Sequence, residues 1–356
     1  MSEDGPPAPA SNPDLFGHEQ PERVLLRAWQ RDRLPHAWLL RGPRGVGKAT
    51  LAFRFARRLL AEGDHEAAAA DPDQPVFRMV AKGAHPDLRV LRRIPHPRSG
   101  KLLKEIAIDQ VREADAALHA TSARGGRRVL VAEDADELSG PAANALLKLV
   151  EEPPPRVVLL LVCQRPGLLP ATIASRCAQL SLGPLDDATV RAGLARLAPA
   201  IPAERAAALA ALAQGSIGRA LELEAGGWIE SYAELLERLG AARASEAARL
   251  ALVAQLGQWA DRLGFRGTVD LLGFVLRRLA RLEAGRPPEA ELAPGETRLL
   301  EDLAAGRGLD RWLSLWDKLG TVALRVEALN LDPLVALLPL VQGVCGVEPE
   351  AELAIT

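Results

Sequence analysis

The chain has 356 residues, 48% of them hydrophobic and 25% charged, with 44 basic side chains against 46 acidic ones. That length accommodates two or three domains, and the apolar content suffices for packed cores. A charge balance so close to zero excludes a global field that draws the protein to nucleic acid or membranes, so any such contact has to be local.

Residues 1 to about 12, within MSEDGPPAPASNPD, are expected to form a disordered tail. This stretch lacks the basic-then-apolar order of a signal peptide. The longest clean apolar run, Val157 to Cys163, is too short to span a bilayer. Cys163, Cys177 and Cys345 are far apart and form neither a metal-ligand nor a disulfide spacing. A soluble, cytoplasmic protein with reduced thiols and no membrane contact is expected.

From Asn12 the sequence predicts a turn and then an amphipathic helix carrying Val24, Leu25, Ala28 and Trp29. His36, Ala37 and Trp38 lead into a strand, with His36 read as a packing or hydrogen-bonding residue. The stretch Leu39 to Leu60 is an apolar run, a loop with Gly42, Gly45, Gly47 and Lys48, and a segment with Leu51, Phe55 and Leu59 at helical spacing. Gly42, Gly47 and Lys48 meet the G-x-x-x-x-G-K spacing of a phosphate cradle. Glycines there let backbone N–H groups turn onto a triphosphate, and the lysine reaches its outer phosphates. Residue 49, where a magnesium-ligating hydroxyl belongs, is alanine. Thr50 is about 100° further round the helix and is not expected to reach the same metal. The cradle is therefore expected to hold nucleotide while hydrolysing it poorly.

Glu62 to Pro75 reads as a surface loop, and His85 to Ile94 as a strand. His65, His85 and His96 lack metal-binding spacing, so no zinc is expected. A strand start near Ile106 and Ile108 precedes a helix with Asp109 as its N-cap and Val111 and Ala114 facing inward. Val129 to Ala132 is a buried strand ending at Glu133 and Asp134, where a P-loop ATPase places the carboxylates that orient magnesium and polarise water. The usual order is Asp then Glu. The reversal moves each carboxylate by about one methylene and spoils the positioning of an attacking water. A helix from Pro141 to Val150 and a strand from Val157 to Val162 follow, and a helical turn with Ser175, Arg176 and Cys177 ends the domain. Strands alternating with helices predict an α/β fold with a parallel sheet and nucleotide at the carboxyl ends of its strands.

Beyond Gly183 the signals are helical. Asp186 or Asp187 caps a helix with Val190, Leu194 and Leu197 on one stripe, and Arg219 lies near the start of the third helix of a small module. The remainder reads as helices broken at Gly240, Gly264, Gly285 and Asn330. The expected domains are a nucleotide-binding domain over 13–184, a helical lid over 185–226 and an all-helical oligomerisation domain over 227–356.

The strings HAWLLRGPRGVGKATLA, AANALLKLVEEPPP, LLPATIASRC and GSIGRAL, spanning residues 36 to 221, resemble the clamp-loader group of AAA+ ATPases. The order EEPPP then SRC is specific to clamp loaders within that superfamily. The resemblance implies a RecA-like P-loop sheet, a helical lid and a helical collar. It makes Arg176 an arginine finger that reaches into a neighbour's ATP, and Arg219 the second-sensor arginine of the lid. It also implies that Gly42, Gly45, Gly47, Lys48, Thr50, Glu133 and Asp134 line a site for ATP or ADP with Mg²⁺. No metal ligand set of the chain's own is assigned, and the family's four-cysteine zinc module is missing. The implied partners are delta and gamma/tau clamp-loader subunits in a hetero-pentameric ring, with the sliding clamp and primer-template DNA reached through the assembly. The implied role is that of a non-hydrolysing stator within the DNA polymerase III holoenzyme, a DNA-directed DNA polymerase. An ATP-hydrolysing motor subunit and a nucleotide-independent scaffold are the alternatives.

Overall fold

The computed structural model describes residues 7–96, 98–100, 102–122, 125–287, 291–329 and 333–347. Five strands, β1 (Ala37–Arg41), β2 (Leu88–Leu91), β3 (Arg128–Ala132), β4 (Val157–Cys163) and β5 (Ala178–Ser181), form one parallel sheet in the order β2-β3-β4-β1-β5. Parallel sheets are covered on both faces, which is why all seven residues of β4, VVLLLVC, are buried.

Alternation along β1 sends Trp38 and Leu40 to one face and Ala37 and Leu39 to the other. The first face is covered by α1 (Glu19–Gln30), α2 (Lys48–Leu60), α3 (His65–Ala70) and α4 (Pro75–Ala81). The second is covered by α5 (Ile108–His119), α6 (Gly140–Glu151) and α7 (Ala171–Ala174). Then come α8 (Asp187–Leu197), α9 (Ala203–Ala213) and α10 (Ile217–Ala225). Asp186 caps α8 by accepting from the Thr189 amide.

Several expectations are corrected here. The segment read as a loop before Pro75 contains α3, because the Asp64 carboxylate accepts from the Glu66 and Ala67 amides and turns the alanines into a helix. Asp109 lies in the first turn of α5, whose N-cap is Ala107. Ile106 joins no extended strand; it bridges to Leu138 alone. The expected strand at His85 to Ile94 shrinks to β2. The residues after the turn at Arg176 form an additional strand, β5.

The expected tail also gains structure over its described part. Pro9–Ser11 is a single 3-10 turn against α2 and α4, and Asn12 is buried. The cause is Arg57, fully buried in α2, whose guanidinium donates to the carbonyls of Ala10 at 2.9 Å, Asn12 at 3.1 Å and Ala69 at 2.9 Å. A buried cation needs such acceptors, and the N-terminal backbone supplies two of them. Residues 1–6 lie outside the described residues.

The chain divides into two compact units between Leu221 and Glu222. Beyond α10 the second unit holds α11 (Trp228–Ala242), α12 (Glu246–Leu263), α13 (Phe265–Glu283), α14 (Glu296–Ala304), α15 (Leu309–Leu329) and α16 (Pro333–Cys345). None of its described residues is in a strand. Gly240 does not break α11, which continues to Ala242 and gives way to α12 at the Ser245 cap. The break expected at Asn330 lies outside the described residues. Inside this unit Tyr232, Arg278 and Glu296, from α11, α13 and α14, form a buried polar cluster. The Tyr232 hydroxyl donates to Glu296 Oε1, which also pairs with Arg278 Nε at 2.5 Å. Among the described residues no helix is long and apolar enough to cross a membrane.

Candidate functional site

The glycine-rich loop leaves β1 at its carboxyl end and enters α2 at Lys48. Gly42, Gly45 and Gly47 have φ of +150°, +73° and +107°, values that side chains with a Cβ rarely adopt. Gly45 is also enclosed: a Cβ there would lie 2.5 Å from Ser216 Oγ and 3.0 Å from Gly218 Cα. The Gly218 amide donates to the Gly45 carbonyl at 2.9 Å, and Ser216 Oγ donates to the Arg44 carbonyl at 2.8 Å while accepting from the Arg219 amide at 3.1 Å. The start of α10, and with it the Arg219 backbone, is thereby fastened to the loop. From the other side the buried His18 imidazole meets the Val46 carbonyl at 2.7 Å. Burial holds His18 below the usual histidine range.

Lys48 is 4% exposed, and its ammonium donates to the carbonyls of Gly42 at 2.8 Å and Pro43 at 2.6 Å. Burial pulls its pKa down to about 8, against the opposing influence of Asp136, Cys163 and Asp134 nearby. Thr50 is buried beside it, and Ala49 packs against the core.

Glu133 and Asp134 stand at the carboxyl end of β3, as expected. Burial raises the Glu133 carboxyl above the ordinary range, with Arg92 opposing. Asp134 accepts from Gln164 Nε2 at 3.1 Å and faces Arg93 Nε at 3.5 Å. Asp136 is more central than either and was not singled out from the sequence. It is buried, and its carboxylate accepts from the backbone amides of Gln164 at 3.1 Å and Arg165 at 3.0 Å. It thus ties the end of β3 to the end of β4 and sets the Gln164 side chain on Asp134. The signal was hidden in the acid-rich run EDADE, where composition does not tell which carboxylate turns inward.

The phosphate-binding half of this site fits a nucleotide: three glycines in the required conformations, a buried lysine and the start of α2. The magnesium half does not. Position 49 offers a methyl group, and Asp134 is already engaged by Gln164 and Arg93.

Arg176 lies elsewhere. It immediately precedes Cys177 and β5, and Ala178 is in register with Trp38 near the start of β1. The loop follows Arg41, so in a parallel sheet the two features sit at opposite ends, roughly 13 Å apart along the strands. Arg176 is 45% exposed. Its guanidinium pairs with Glu151 of α6 at 2.9 Å and donates to the Thr172 carbonyl at 3.0 Å. The structure therefore brings Gly42, Gly45, Gly47, Lys48 and the Arg219 backbone together and leaves Arg176 apart.

Residues 17–186 match the family model described as "DNA polymerase III, delta subunit". The chain is 39% identical over 202 residues to DNA polymerase III subunit delta' of Pseudomonas aeruginosa, covering 57% of this chain and 60% of that one. It is 33% identical over 201 residues to subunit delta' of Escherichia coli, covering 56% and 57%. It is also 32% identical over 219 residues to subunit tau/gamma of Haemophilus influenzae, covering 60% and 30%. The match thus spans at most 60% of the length of these relatives.

Proposed function

We propose that the chain is a delta-prime-type DNA polymerase III clamp-loader subunit, the stator of its loader, a reading supported by the family match over residues 17–186 and by the likeness to delta' subunits. In this reading it assembles with delta and gamma/tau subunits in a hetero-pentameric cytoplasmic ring. It supplies Arg176 to the ATP site of a neighbouring motor subunit, and it takes part in loading a sliding clamp onto primed DNA. Its own cradle holds ATP or ADP without appreciable turnover.

The observation that carries this reading is the separation of Arg176 from the chain's own cradle. A guanidinium at the far end of the sheet does not serve the Lys48 site of the same chain. It is exposed, and its partner Glu151 is 41% exposed, so it can exchange one carboxylate for a phosphoryl oxygen on another subunit. There it would neutralise charge developing on a γ-phosphate, an effect of about 10³ to 10⁵ in rate where arginine fingers have been measured. Ala49, the Glu133-Asp134 order and the engagement of Asp134 support a cradle that lacks hydrolysis.

A second reading, an ATP-hydrolysing motor, is favoured by the retained Gly47 and Lys48 and by the likeness to tau/gamma subunits. Reconstitution separates the two. The stator reading expects Arg176→Ala to assemble normally and to lower DNA- and clamp-stimulated ATP hydrolysis, with a much smaller effect from Lys48→Ala. A larger loss from Lys48→Ala, or steady turnover by the isolated chain, would establish the motor.

A further inference from the structure

A second concavity lies at the carboxyl end of β1, on the sheet face opposite α2, with a volume of about 430 Å³. Its walls are Leu39 and Arg41 of β1, Leu168 and Leu169 of the loop after β4, and Ala171 and Ala174 of α7. The lining is apolar except for Arg41. Leu168 stands at the rim, 57% exposed.

Arg41 is the unusual member. Its Nε is buried without a hydrogen-bond partner among the described residues, and no ion pair there involves it. The Nε atoms of Arg58, Arg93 and Arg128 in the same unit are likewise buried without a hydrogen bond, but Arg58 and Arg93 face carboxylates and Arg128 donates to backbone carbonyls. A partly buried guanidinium presents a rigid fork of donors matched to a carboxylate, and leaving its buried Nε–H unanswered beside an apolar surface is costly. The volume falls within the range of small-ligand sites, which combine apolar walls with a few convergent polar groups.

We infer that this cavity is a binding site for a carboxylate carried on an apolar body of about four to six carbons. The carboxylate pairs with Arg41 and the apolar part lies against Leu39, Leu168, Leu169 and Ala174. A single guanidinium and otherwise apolar walls suit a monoanion of this kind better than a strongly hydrated phosphate. Such a group occurs on a small organic acid and at the carboxyl end of a polypeptide finishing in leucine. The inference is independent of the stator reading, since it uses neither Arg176 nor the glycine-rich loop.

The test is a titration of the full chain, labelled at leucine methyl groups and followed by NMR. The probes are hexanoate, hexan-1-ol, and a tetrapeptide ending in leucine with either a free or an amidated carboxyl end. Hexanoate is expected to shift the Leu168 and Leu169 methyls saturably, with hexanol at least tenfold weaker. The free-acid peptide is expected to bind better than its amide. Whichever of hexanoate and the free-acid peptide binds tighter identifies the source of the carboxylate. Arg41→Gln should weaken hexanoate at least tenfold. Ala174→Trp, which fills the cavity from α7 and leaves Arg41 in place, should do the same and covers the case in which Arg41→Gln does not fold. Equal affinity for hexanoate and hexanol, no saturable shift with either carboxylate, or unchanged binding in a folded variant would overturn the inference.

Discussion

The Gly218 amide donates to the Gly45 carbonyl at 2.9 Å, so the first turn of α10 and the glycine-rich loop are joined backbone to backbone. Such a contact requires that neither residue carry a side chain. A Cβ on Gly218 would lie 2.8 Å from Gly45 Cα and 3.1 Å from its carbonyl oxygen, both main-chain atoms that do not rotate away.

Gly218→Ala is therefore expected to destabilise the first unit by about 1–3 kcal/mol, the usual range for overpacking a close contact. Gly126→Ala is the control, because no atom lies within 4 Å of its added Cβ. Chemical denaturation of both variants is the measurement, and equal midpoints would contradict the close packing of loop and helix.

The buried Lys48 makes stability depend on pH in a defined direction. With a folded pKa of about 8 against an ordinary value of 10.5, the unfolded chain holds a proton between those values that the folded chain has released. Stability therefore rises with pH across that window, and the full cost of burying the charge is felt below about pH 8. Lys48→Met should stabilise the protein at pH 7 by about 1–3 kcal/mol, after the loss of two hydrogen bonds to loop carbonyls is set against the removed charge. The advantage over wild type should shrink from pH 8 to 10.5. Thermal unfolding at pH 7 and pH 10 decides it; a difference that stays constant would count against the buried ammonium.

The Arg176–Glu151 pair is exposed on both sides, so its contribution to stability is expected to be about 0–1 kcal/mol. Glu151→Gln should leave the melting temperature almost unchanged. A loss well above 1 kcal/mol would show that the arginine is a structural brace, which would weaken its assignment as a group offered to another subunit.

In the second unit Glu296 is 1% exposed and receives Tyr232, Arg278 and the Leu292 amide, the last at 2.6 Å. Tyr232→Phe removes one donor to a buried carboxylate and should cost about 1.5–3 kcal/mol. Glu296→Gln should cost more, about 3–5 kcal/mol, because it takes the negative charge from beside the buried Arg278. Equilibrium unfolding of both variants tests the order; a smaller effect at Glu296 would mean that the cluster is held by packing alone.

Much of the first unit is legible because its signals are local. The glycine-rich loop announces itself by spacing, and β4 by an unbroken apolar run that a sheet covered on both faces permits. The edge strand β5 is different. Its sequence AQLS buries only Leu180 fully, since the outer edge of a sheet asks for little apolar character. The alanines of α3 read as loop because helix propensity there depends on the Asp64 cap and on packing against α2. Gly240 looked like a break, yet α11 is held by Leu235, Leu236 and Leu239, whose burial outweighs the cost of one helical glycine, about 1 kcal/mol. At the site, Gly42, Gly47 and Lys48 were legible, but the partners that fix them were not. His18, Asp136 and Ser216 act across 28, 28 and 172 residues of sequence on Val46, Gln164 and Arg44. No short-range pattern encodes contacts at such separations.

A parallel sheet has a head and a tail, and here the glycine-rich loop is at one and Arg176 at the other. In the proposed reading Arg176 of one molecule meets the glycine-rich loop of another, and molecules with that polarity then join head to tail. A two-fold dimer through either end would set cradle against cradle or cation against cation. On the proposed stator reading, that polarity calls for heterologous contacts, the kind that close into rings when the rotation between neighbours permits and extend into filaments when it does not.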